Sequence, residues 1–206
     1  MKIGKSWQFF GSASFLSYKL FDTLRRQVNR KLVTYLCTKA ILKKESLVLE
    51  AGSGPGYSSS LFARDKDMGL SIAVDIDPEA LREARRRNGT LPVVIADLYH
   101  LPFKSGTFDL TWNSSTLEHL EDMDSSLREM ARVTTCNGYV FVGVPYRWGP
   151  LGVQIWIKRT SIGIWIGPVF SKSELANSMR QAGLEPENTI LYFFRFFVGS
   201  LARKPR

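Results

Sequence analysis

The stretch LVLEAGSGPGYSS, from Leu47 to Ser59, decides the fold of this chain. It begins with a short aliphatic run and breaks into three glycines, Gly52, Gly54 and Gly56, each two residues from the next. A run of this kind is typical of a strand whose C-terminal turn lets a ligand approach the backbone closely. The stretch therefore predicts a buried strand followed by a binding turn.

The bulk properties predict a cytoplasmic globular protein. The chain has 206 residues, enough for one domain with an appendage, and 44% of them are hydrophobic and 23% charged. No run reaches the roughly 18–20 consecutive apolar residues of a membrane-spanning helix, and the N-terminus makes a poor signal peptide. The two cysteines, Cys37 and Cys136, have no metal-type spacing and are expected to be reduced thiols.

Most of the positive charge lies in a basic N-terminal arm, residues 1–46. This segment holds ten Lys or Arg and two acidic residues, a net +8 out of +9 for the whole chain. Aliphatic residues that recur every four positions predict a helix from about Phe15 to Leu42. Two roles stay open for the arm. It is either a leading helix packed on the core or a surface for anionic lipid, to which each Lys or Arg contributes ~1 kcal/mol.

Strands and helices alternate through the remainder, residues 47–206, which we expect to form one domain. The predicted helices after the arm are Tyr57–Arg64, Pro78–Asn88, Asp124–Val133 and one opened by the capping box of Ser171 and Glu174. The predicted strands are Leu47–Ala51, Leu70–Asp75, Pro92–Ala96, Thr107–Asn113, Tyr139–Val144, Thr189–Phe194 and Phe196–Ala202. The alternation predicts an α/β fold: a single doubly wound, Rossmann-like domain with a mostly parallel seven-stranded sheet and an antiparallel C-terminal hairpin strand.

Acidic residues at the strand ends point to a nucleoside ligand. In a doubly wound sheet, ligands bind outside the carboxyl ends of the strands. Asp75 ends the second strand and can accept hydrogen bonds from both ribose hydroxyls, while Asp97 ends the third and can accept from an adenine amine. Tyr57 stands where a dinucleotide fingerprint needs its last glycine, and no Gly-Lys-Ser/Thr follows, which disfavours a dehydrogenase and a P-loop. An adenosine without a required phosphate, such as a sulfonium nucleoside, fits.

Four stretches in order, VLEAGSGPG, AVDIDPEAL, IADLYHLPFKSGTFDL and LREMARVTTCNGYVFVGVP, resemble successive motifs of class I S-adenosylmethionine-dependent methyltransferases. The resemblance is to the small-molecule type (methyltransferase type 11) that includes ubiquinone- and menaquinone-biosynthesis enzymes. It covers residues 47–145 strongly and residues 171–204 more loosely. It implies S-adenosyl-L-methionine as cofactor and S-adenosyl-L-homocysteine as product.

The resemblance also implies a set of cofactor contacts at the ends of the first four strands: Glu50, Gly52, Gly54, Gly56, Asp75, Ile76, Asp97, Leu98 and Ser114. Glu50 would reach toward the methionine amino group, and the glycines would let the methionine portion lie against the backbone. Asp75 would bind the ribose and Ile76 would line the adenine pocket. Asp97, with the Leu98 amide, would contact the adenine edge.

The candidate catalytic residues are Glu118 and His119. Methylation of a hydroxyl needs a base or a metal, and the chain has only two histidines. The tripeptide LEH that contains this pair resembles one in the O-methyltransferases of ubiquinone biosynthesis. In some of those enzymes a glutamate three residues earlier completes a divalent-cation site; here that position is Ser115, so no metal is predicted. Alternatively the pair only fixes the loop and the start of the next helix, and His100 is expected at the surface.

The segment 146–169 is predicted to be a substrate lid. It contains Trp148, Trp156 and Trp165, three of the five tryptophans, and Trp is favoured at the membrane interface. The alternative is a hydrophobic cluster packed on the sheet edge. The fourth strand ends in TWNSST rather than an N-P-P-Y type loop, and the arm lacks aromatic residues on its charged face, so nucleic acid is not an expected partner.

Together these features predict an enzyme that methylates a small hydrophobic acceptor at a membrane surface. The acceptor would be quinone-, isoprenoid- or lipid-like, and the protein would be cytoplasmic and peripheral at the inner membrane face. Two alternatives stay open: a soluble methyltransferase for a polar acceptor, and a non-catalytic methyltransferase-like assembly protein. The acceptor atom and the oligomeric state do not follow from the sequence.

Overall fold

Seven strands form one sheet in the computed structural model, which describes residues 15–64, 70–150, 152–153 and 167–206, and within these all side chains except those of 15–26, 63 and 64. The strands are β1 (Leu47–Ala51), β2 (Leu70–Asp75), β3 (Val93–Ile95), β4 (Phe108–Ser114), β5 (Thr134–Pro145), β6 (Glu185–Tyr192) and β7 (Phe197–Arg203). Their order across the sheet is β3-β2-β1-β4-β5-β7-β6. Six strands run in one direction, and β7 runs opposite to them. The predicted α/β fold, with its mostly parallel sheet and antiparallel hairpin strand, is confirmed.

Helices precede and connect the strands: α1 (Phe15–Lys39), α2 (Tyr57–Arg64), α3 (Pro78–Arg87), the 3-10 turn Leu117–His119, α4 (Met123–Val133) and α5 (Lys172–Gln181). α3 begins where its sequence requires, because the Asp77 side chain accepts a hydrogen bond from the Glu79 amide and Pro78 suits the first turn. The capping box of Ser171 and Glu174 opens α5 as predicted.

Helices cover both faces of the sheet. Neighbouring strand residues point to opposite faces, and Val48 and Leu49 in β1 accordingly belong to separate hydrophobic clusters. Val48 packs in the cluster that contains Leu36 of α1 and Phe62 of α2. Leu49 packs in the cluster that contains Leu127 of α4 and residues of α5. The doubly wound arrangement is therefore confirmed.

The strand order reverses between β1 and β4, so a crevice lies outside the carboxyl ends of these strands. β1 pairs with β2 on one side and with β4 on the other, both in parallel. This is the topological switch point at which doubly wound sheets bind ligands. The topology brings together the glycine turn after Ala51, Asp75 at the end of β2 and Ser114 at the end of β4.

The C-terminal half of α1 packs on the sheet. Leu32 and Leu36 are buried in the cluster that contains Trp112 of β4, while Arg30 and Lys31 are exposed. This part of the arm is the leading helix of the first alternative, and its basic side chains remain available to solvent. The division of the chain into an arm of 46 residues and a catalytic domain stays a prediction.

Among the first five strands, the predicted bounds differ most from the structure in β5. This strand begins at Thr134 rather than at Tyr139. Thr134 follows the last residue of α4 directly and pairs with Phe108 of β4. A register shift in that pairing, between Phe108 and Leu110, absorbs the TTCNG stretch that the sequence analysis left outside the strand. The helix therefore passes into the strand without a connecting loop.

Parts of two predictions lie outside the described residues. These are residues 151 and 154–166 of the predicted lid, with Trp156 and Trp165, and residues 1–14 of the arm. Both ends of the lid segment are described: Tyr146 forms a parallel bridge with Phe170, and the Arg147 amide donates to the Phe170 carbonyl at 2.9 Å. In the described part of the chain, no helix combines the length and the apolar character needed to cross a membrane.

Candidate active site

The three glycines after β1 all adopt left-handed backbone conformations. Their φ values are 74° for Gly52, 51° for Gly54 and 61° for Gly56, a region that favours glycine. A β-carbon on Gly52 would lie 2.5 Å from Thr116 Cγ2, and one on Gly56 would lie 2.7 Å from Ala84 Cβ in α3. A β-carbon on Gly54 would have no described atom within 4 Å. The outer glycines therefore allow close internal packing, and Gly54 faces open space.

This difference predicts different costs for alanine at two of the glycines. Gly56→Ala is expected to lower the free energy of unfolding by about 3 kcal/mol, because the left-handed backbone costs ~1–2 kcal/mol without glycine and overpacking against Ala84 adds ~1–3 kcal/mol. Gly54→Ala has the backbone cost without the clash, so its free energy of unfolding is expected to fall by only about 1 kcal/mol. Urea unfolding of both variants measures the difference, and equal losses would contradict the packing role of Gly56.

Glu50 is a buried carboxyl beside the glycine turn. It is 7% exposed, and its Oε2 accepts a hydrogen bond from the Ser59 amide at 2.7 Å and another from the Ser59 hydroxyl. The pKa of Glu50 is raised to about 8. Burial is the main cause, the hydrogen bonds from Ser59 partly offset it, and the charge of Asp75 adds to it. A cation bound next to Glu50 would favour its ionised form.

Asp75 supports the same turn from the end of β2. Its Oδ2 accepts a hydrogen bond from the Gly54 amide at 2.7 Å, and its Oδ1 accepts from the Asp77 amide at 2.9 Å. A carboxylate has about four acceptor positions, so two remain for ribose hydroxyls. Ile76, the next residue, is 48% exposed and offers apolar surface beside this carboxylate.

Asp97 and Leu98 follow β3, one strand farther from the glycine turn. β3 pairs with β2 so that Ile95 lies opposite Asp75. The Asp97 side chain is exposed and its Oδ1 accepts from the Tyr99 amide at 3.0 Å, whereas Leu98 is buried in the core. The exposed carboxylate has free acceptor capacity, and its contact with an adenine edge stays a prediction.

Ser114, the last residue of β4, has a partner that the sequence analysis missed. Its Oγ lies 2.7 Å from the Oη of Tyr192, which ends β6 on the far edge of the sheet. Burial raises the pKa of Tyr192, the Ser114 bond lowers it, and the charge of Glu118 raises it. The sequence analysis placed Tyr192 in an ordinary buried strand, and no local pattern signals a contact between residues 78 positions apart.

Glu118 and His119 lie together in the 3-10 turn beyond β4. Glu118 is 4% exposed, and its Oε2 has no hydrogen-bond partner within the described ranges. Burial raises the pKa of Glu118 to about 8 and lowers the pKa of His119. His119 Nε2 lies 4.0 Å from Glu118 Oε1. A buried carboxyl next to a half-exposed imidazole is suited to taking up a proton and passing it to solvent.

The chain returns to this pair at Gly167, near the end of the lid segment. Gly167 has a φ of 75°, and a β-carbon there would lie 2.7 Å from the Glu118 carbonyl oxygen and 3.5 Å from His119 Nδ1. The described C-terminal end of the segment therefore packs directly on the candidate catalytic pair.

Two further polar residues that the sequence analysis missed tie the loop after β4 to the glycine turn. The Asn113 side chain donates to the Ala51 carbonyl and accepts from the Leu117 amide at 3.3 Å. The Thr116 hydroxyl donates to the Gly52 carbonyl at 3.0 Å. The only sequence signal for this role is the short polar run after a buried strand, which is common in loops.

Residues 49–142 match the sequence model of a family described as methyltransferase domain. This match supports the predicted class I S-adenosylmethionine-dependent methyltransferase. It is similar to a probable S-adenosylmethionine-dependent methyltransferase of Mycobacterium tuberculosis, at 38% identity over 100 residues that cover 48% of this chain and 36% of the relative. It is also similar to the malonyl-[acyl-carrier protein] O-methyltransferase of Halorhodospira halophila, at 33% identity over 131 residues, 62% of this chain and 44% of the relative. The chain spans less than half the length of both curated relatives.

Solved methyltransferase structures share the fold. One is a SAM-dependent methyltransferase from Thermotoga maritima, with a TM-score of 0.72 and 22% identity over 97% of this chain and 99% of that one. Another is the methyltransferase in complex with the Trm112 activator of Haloferax volcanii, with a TM-score of 0.71 and 19% identity over 88% and 94% of the two chains. At these identities the likeness shows the fold.

The family uses S-adenosylmethionine and releases S-adenosylhomocysteine, and the crevice of this methyltransferase domain fits that cofactor. Gly54 leaves space over the turn, Asp75 has acceptor capacity for a ribose, and Glu50 is a buried carboxyl that a cation would stabilise in its ionised form. Within the described ranges, no three His, Cys, Asp or Glu side chains are grouped to hold a metal ion.

Proposed function

We propose that this chain transfers a methyl group from S-adenosylmethionine to a small hydrophobic acceptor at a membrane surface. The observation that carries the proposal is the open Gly54 turn, which Asp75 supports by a hydrogen bond and which follows the strand of the buried Glu50 carboxyl. The cofactor supplies an electrophilic methyl group on a sulfonium with a neutral leaving group.

The residues of the chain contribute alignment and proton transfer. Asp75 and the glycine turn orient the nucleoside, and Glu50 balances the positive charge of the methionine portion. In-line displacement then depends on holding the acceptor atom against the methyl group, and alignment of this kind contributes several kcal/mol, on the order of 7–11 in the best cases. Glu118, with His119, takes the proton when the acceptor is a hydroxyl.

Two exposed aromatic side chains at the same end of the sheet as the crevice support a hydrophobic acceptor. Trp148, after β5, is 69% exposed and Phe194, after β6, is 67% exposed. Their turns touch, because a β-carbon on Gly149 would overlap the Arg195 carbonyl oxygen. Since β5 and β6 both run parallel to β1, these turns lie at the same end of the sheet as the glycine turn. Exposed aromatics beside Arg195 are suited to the interface of an anionic membrane.

The proposal is tested by incubating the purified chain with methyl-labelled S-adenosylmethionine and total membranes from the source organism. Label is expected in the organic extract with the wild type and is expected to be absent with Asp75→Ala. Label confined to the aqueous or protein fraction would overturn the lipid-like acceptor. It would favour a polar acceptor, which is the chemistry named for the malonyl-[acyl-carrier protein] relative.

Membrane contact through the aromatic turns gives a separate prediction. The double variant Trp148→Ser/Phe194→Ser is expected to bind anionic vesicles at least tenfold more weakly, because burying each large apolar side chain contributes about 1.5–3 kcal/mol. Co-sedimentation with phosphatidylglycerol-containing vesicles measures the effect. Ile41→Ser is the matched control, since Ile41 is 71% exposed and precedes β1, at the opposite end of the sheet. Equal binding by the double variant and the control would contradict the contact.

A further inference from the structure

A row of three small residues crosses the sheet next to the candidate site. Ser114 of β4 lies opposite Gly143 of β5, and Gly143 lies opposite Gly199 of β7. Strand alternation puts this row on the face of Phe141 and Leu201, both of which belong to the cluster under α1 and α2. The two glycine positions of the row therefore carry no side chain on a face that is otherwise filled with large residues.

The ring of Tyr192 fills the space above the two glycines. A β-carbon on Gly143 would overlap Tyr192 Oη, and one on Gly199 would overlap the Phe141 ring and lie 3.2 Å from Tyr192 Cε1. Neither glycine has a left-handed φ, so backbone conformation does not require glycine at either position. Tyr192 also packs against Phe141 and Phe197, with ring centroids 6.2 Å and 5.5 Å away. The glycines thus form a slot that lets a tyrosine of the edge strand reach β4.

The far end of this tyrosine meets the candidate site. Its hydroxyl lies 2.7 Å from Ser114 Oγ, and its pKa responds to the charge of Glu118. A serine hydroxyl has one proton and two lone pairs and rotates to suit its neighbours. One bond to a fixed phenol removes that rotation, so the remaining donor or acceptor positions of Ser114 point in defined directions.

We propose that Tyr192 is a positioning residue of the cofactor site, which holds the Ser114 hydroxyl in place through the slot formed by Gly143 and Gly199. This inference rests on the proposed function, because Ser114 matters here as an expected contact of the bound cofactor. It adds a residue from the far edge of the sheet to a site otherwise built from the first four strands.

The test measures binding of S-adenosylhomocysteine by calorimetry and needs no knowledge of the acceptor. Tyr192→Phe keeps the ring in the slot and removes only the hydroxyl, and it is expected to weaken binding about fivefold, the usual effect of one hydrogen bond. Ser114→Ala is expected to weaken binding by at least as much. The double variant is expected to bind like Ser114→Ala alone, because residues that act through one contact are not additive. Tyr35→Phe is the matched control: its buried hydroxyl has no partner in the described part of the chain, and its removal is expected to leave affinity unchanged.

Three results would overturn the inference in distinguishable ways. If Tyr192→Phe binds S-adenosylhomocysteine within twofold of the wild-type affinity, Tyr192 only fills space. The substitution would then change the melting temperature alone. Additive losses in the double variant would show that Tyr192 does not act through Ser114. Absence of binding by the wild type would overturn the proposed function and this inference with it.

Discussion

Replacing Glu118 with glutamine is expected to lower turnover of a hydroxyl acceptor by about 100-fold, the lower end of what a general base contributes. The carboxyl is buried with one oxygen unpartnered among the described residues, and glutamine keeps its size but cannot take a proton. Because burial raises the pKa of Glu118 to about 8, the group is mostly protonated at neutral pH, and the fraction able to act as a base grows as the pH rises. Wild-type turnover should therefore rise as the pH rises through about 8 and be lost as it falls.

The pH profile separates this role from a structural one. Transfer of labelled methyl to the membrane extract is measured from about one pH unit below the pKa of Glu118 to one above it. The rate is expected to increase with pH in the wild type and to stay flat in Glu118→Gln. Glu121→Gln is the control, since Glu121 is exposed and follows three residues later. If Glu118→Gln keeps both the rate and the rise, Glu118 only fixes the loop after β4, which is the alternative left open by the sequence.

Replacing Asp75 with alanine is expected to weaken S-adenosylmethionine binding at least tenfold. Each hydrogen bond to a charged group contributes about 1.5–3 kcal/mol, and the substitution removes the acceptor for two ribose hydroxyls. It also removes the bond that the Gly54 amide donates to Asp75 Oδ2, so the open turn loses its support. Titration calorimetry with S-adenosylmethionine measures the loss.

Asp109→Ala provides a matched control for this substitution. Asp109 is also a half-buried strand residue whose Oδ2 accepts from a backbone amide, that of Leu47, at 2.8 Å. Leu47 begins β1, so this bond lies at the end of the strand away from the crevice. Similar affinity losses in the two variants would assign the effect to general destabilisation and remove Asp75 from the cofactor site.

The sequence predicted best the elements whose signals are local. β1, β2 and α2 have the predicted bounds, because an aliphatic run, a strand-ending acid and a glycine turn each act over a few residues. Asp75 could be assigned to the crevice from sequence because the ends of parallel neighbouring strands always meet.

The end of β6 shows why other parts failed. The predicted strand continued to Phe194, but β6 ends at Tyr192 and the chain turns through Phe193, Phe194 and Arg195 with φ of 49°, 53° and 65°. Bulky residues disfavour this left-handed region, so no turn chemistry marked the position. Packing of the aromatic rings against each other, with Phe193 and Phe197 centroids 6.0 Å apart, accompanies the turn. Packing among the aromatic rings of one turn has no sequence signal of its own.

The slot across the sheet sets a limit on how this protein can be recombined with its relatives. The stretch that matches the family ends at residue 142, one position before Gly143, whereas Tyr192 and Gly199 lie well beyond it. A chimaera joined after β5 would keep the glycine turn and Ser114 but separate them from the tyrosine that crosses the sheet to reach them. A join placed after β7 would transfer the whole row together with its tyrosine.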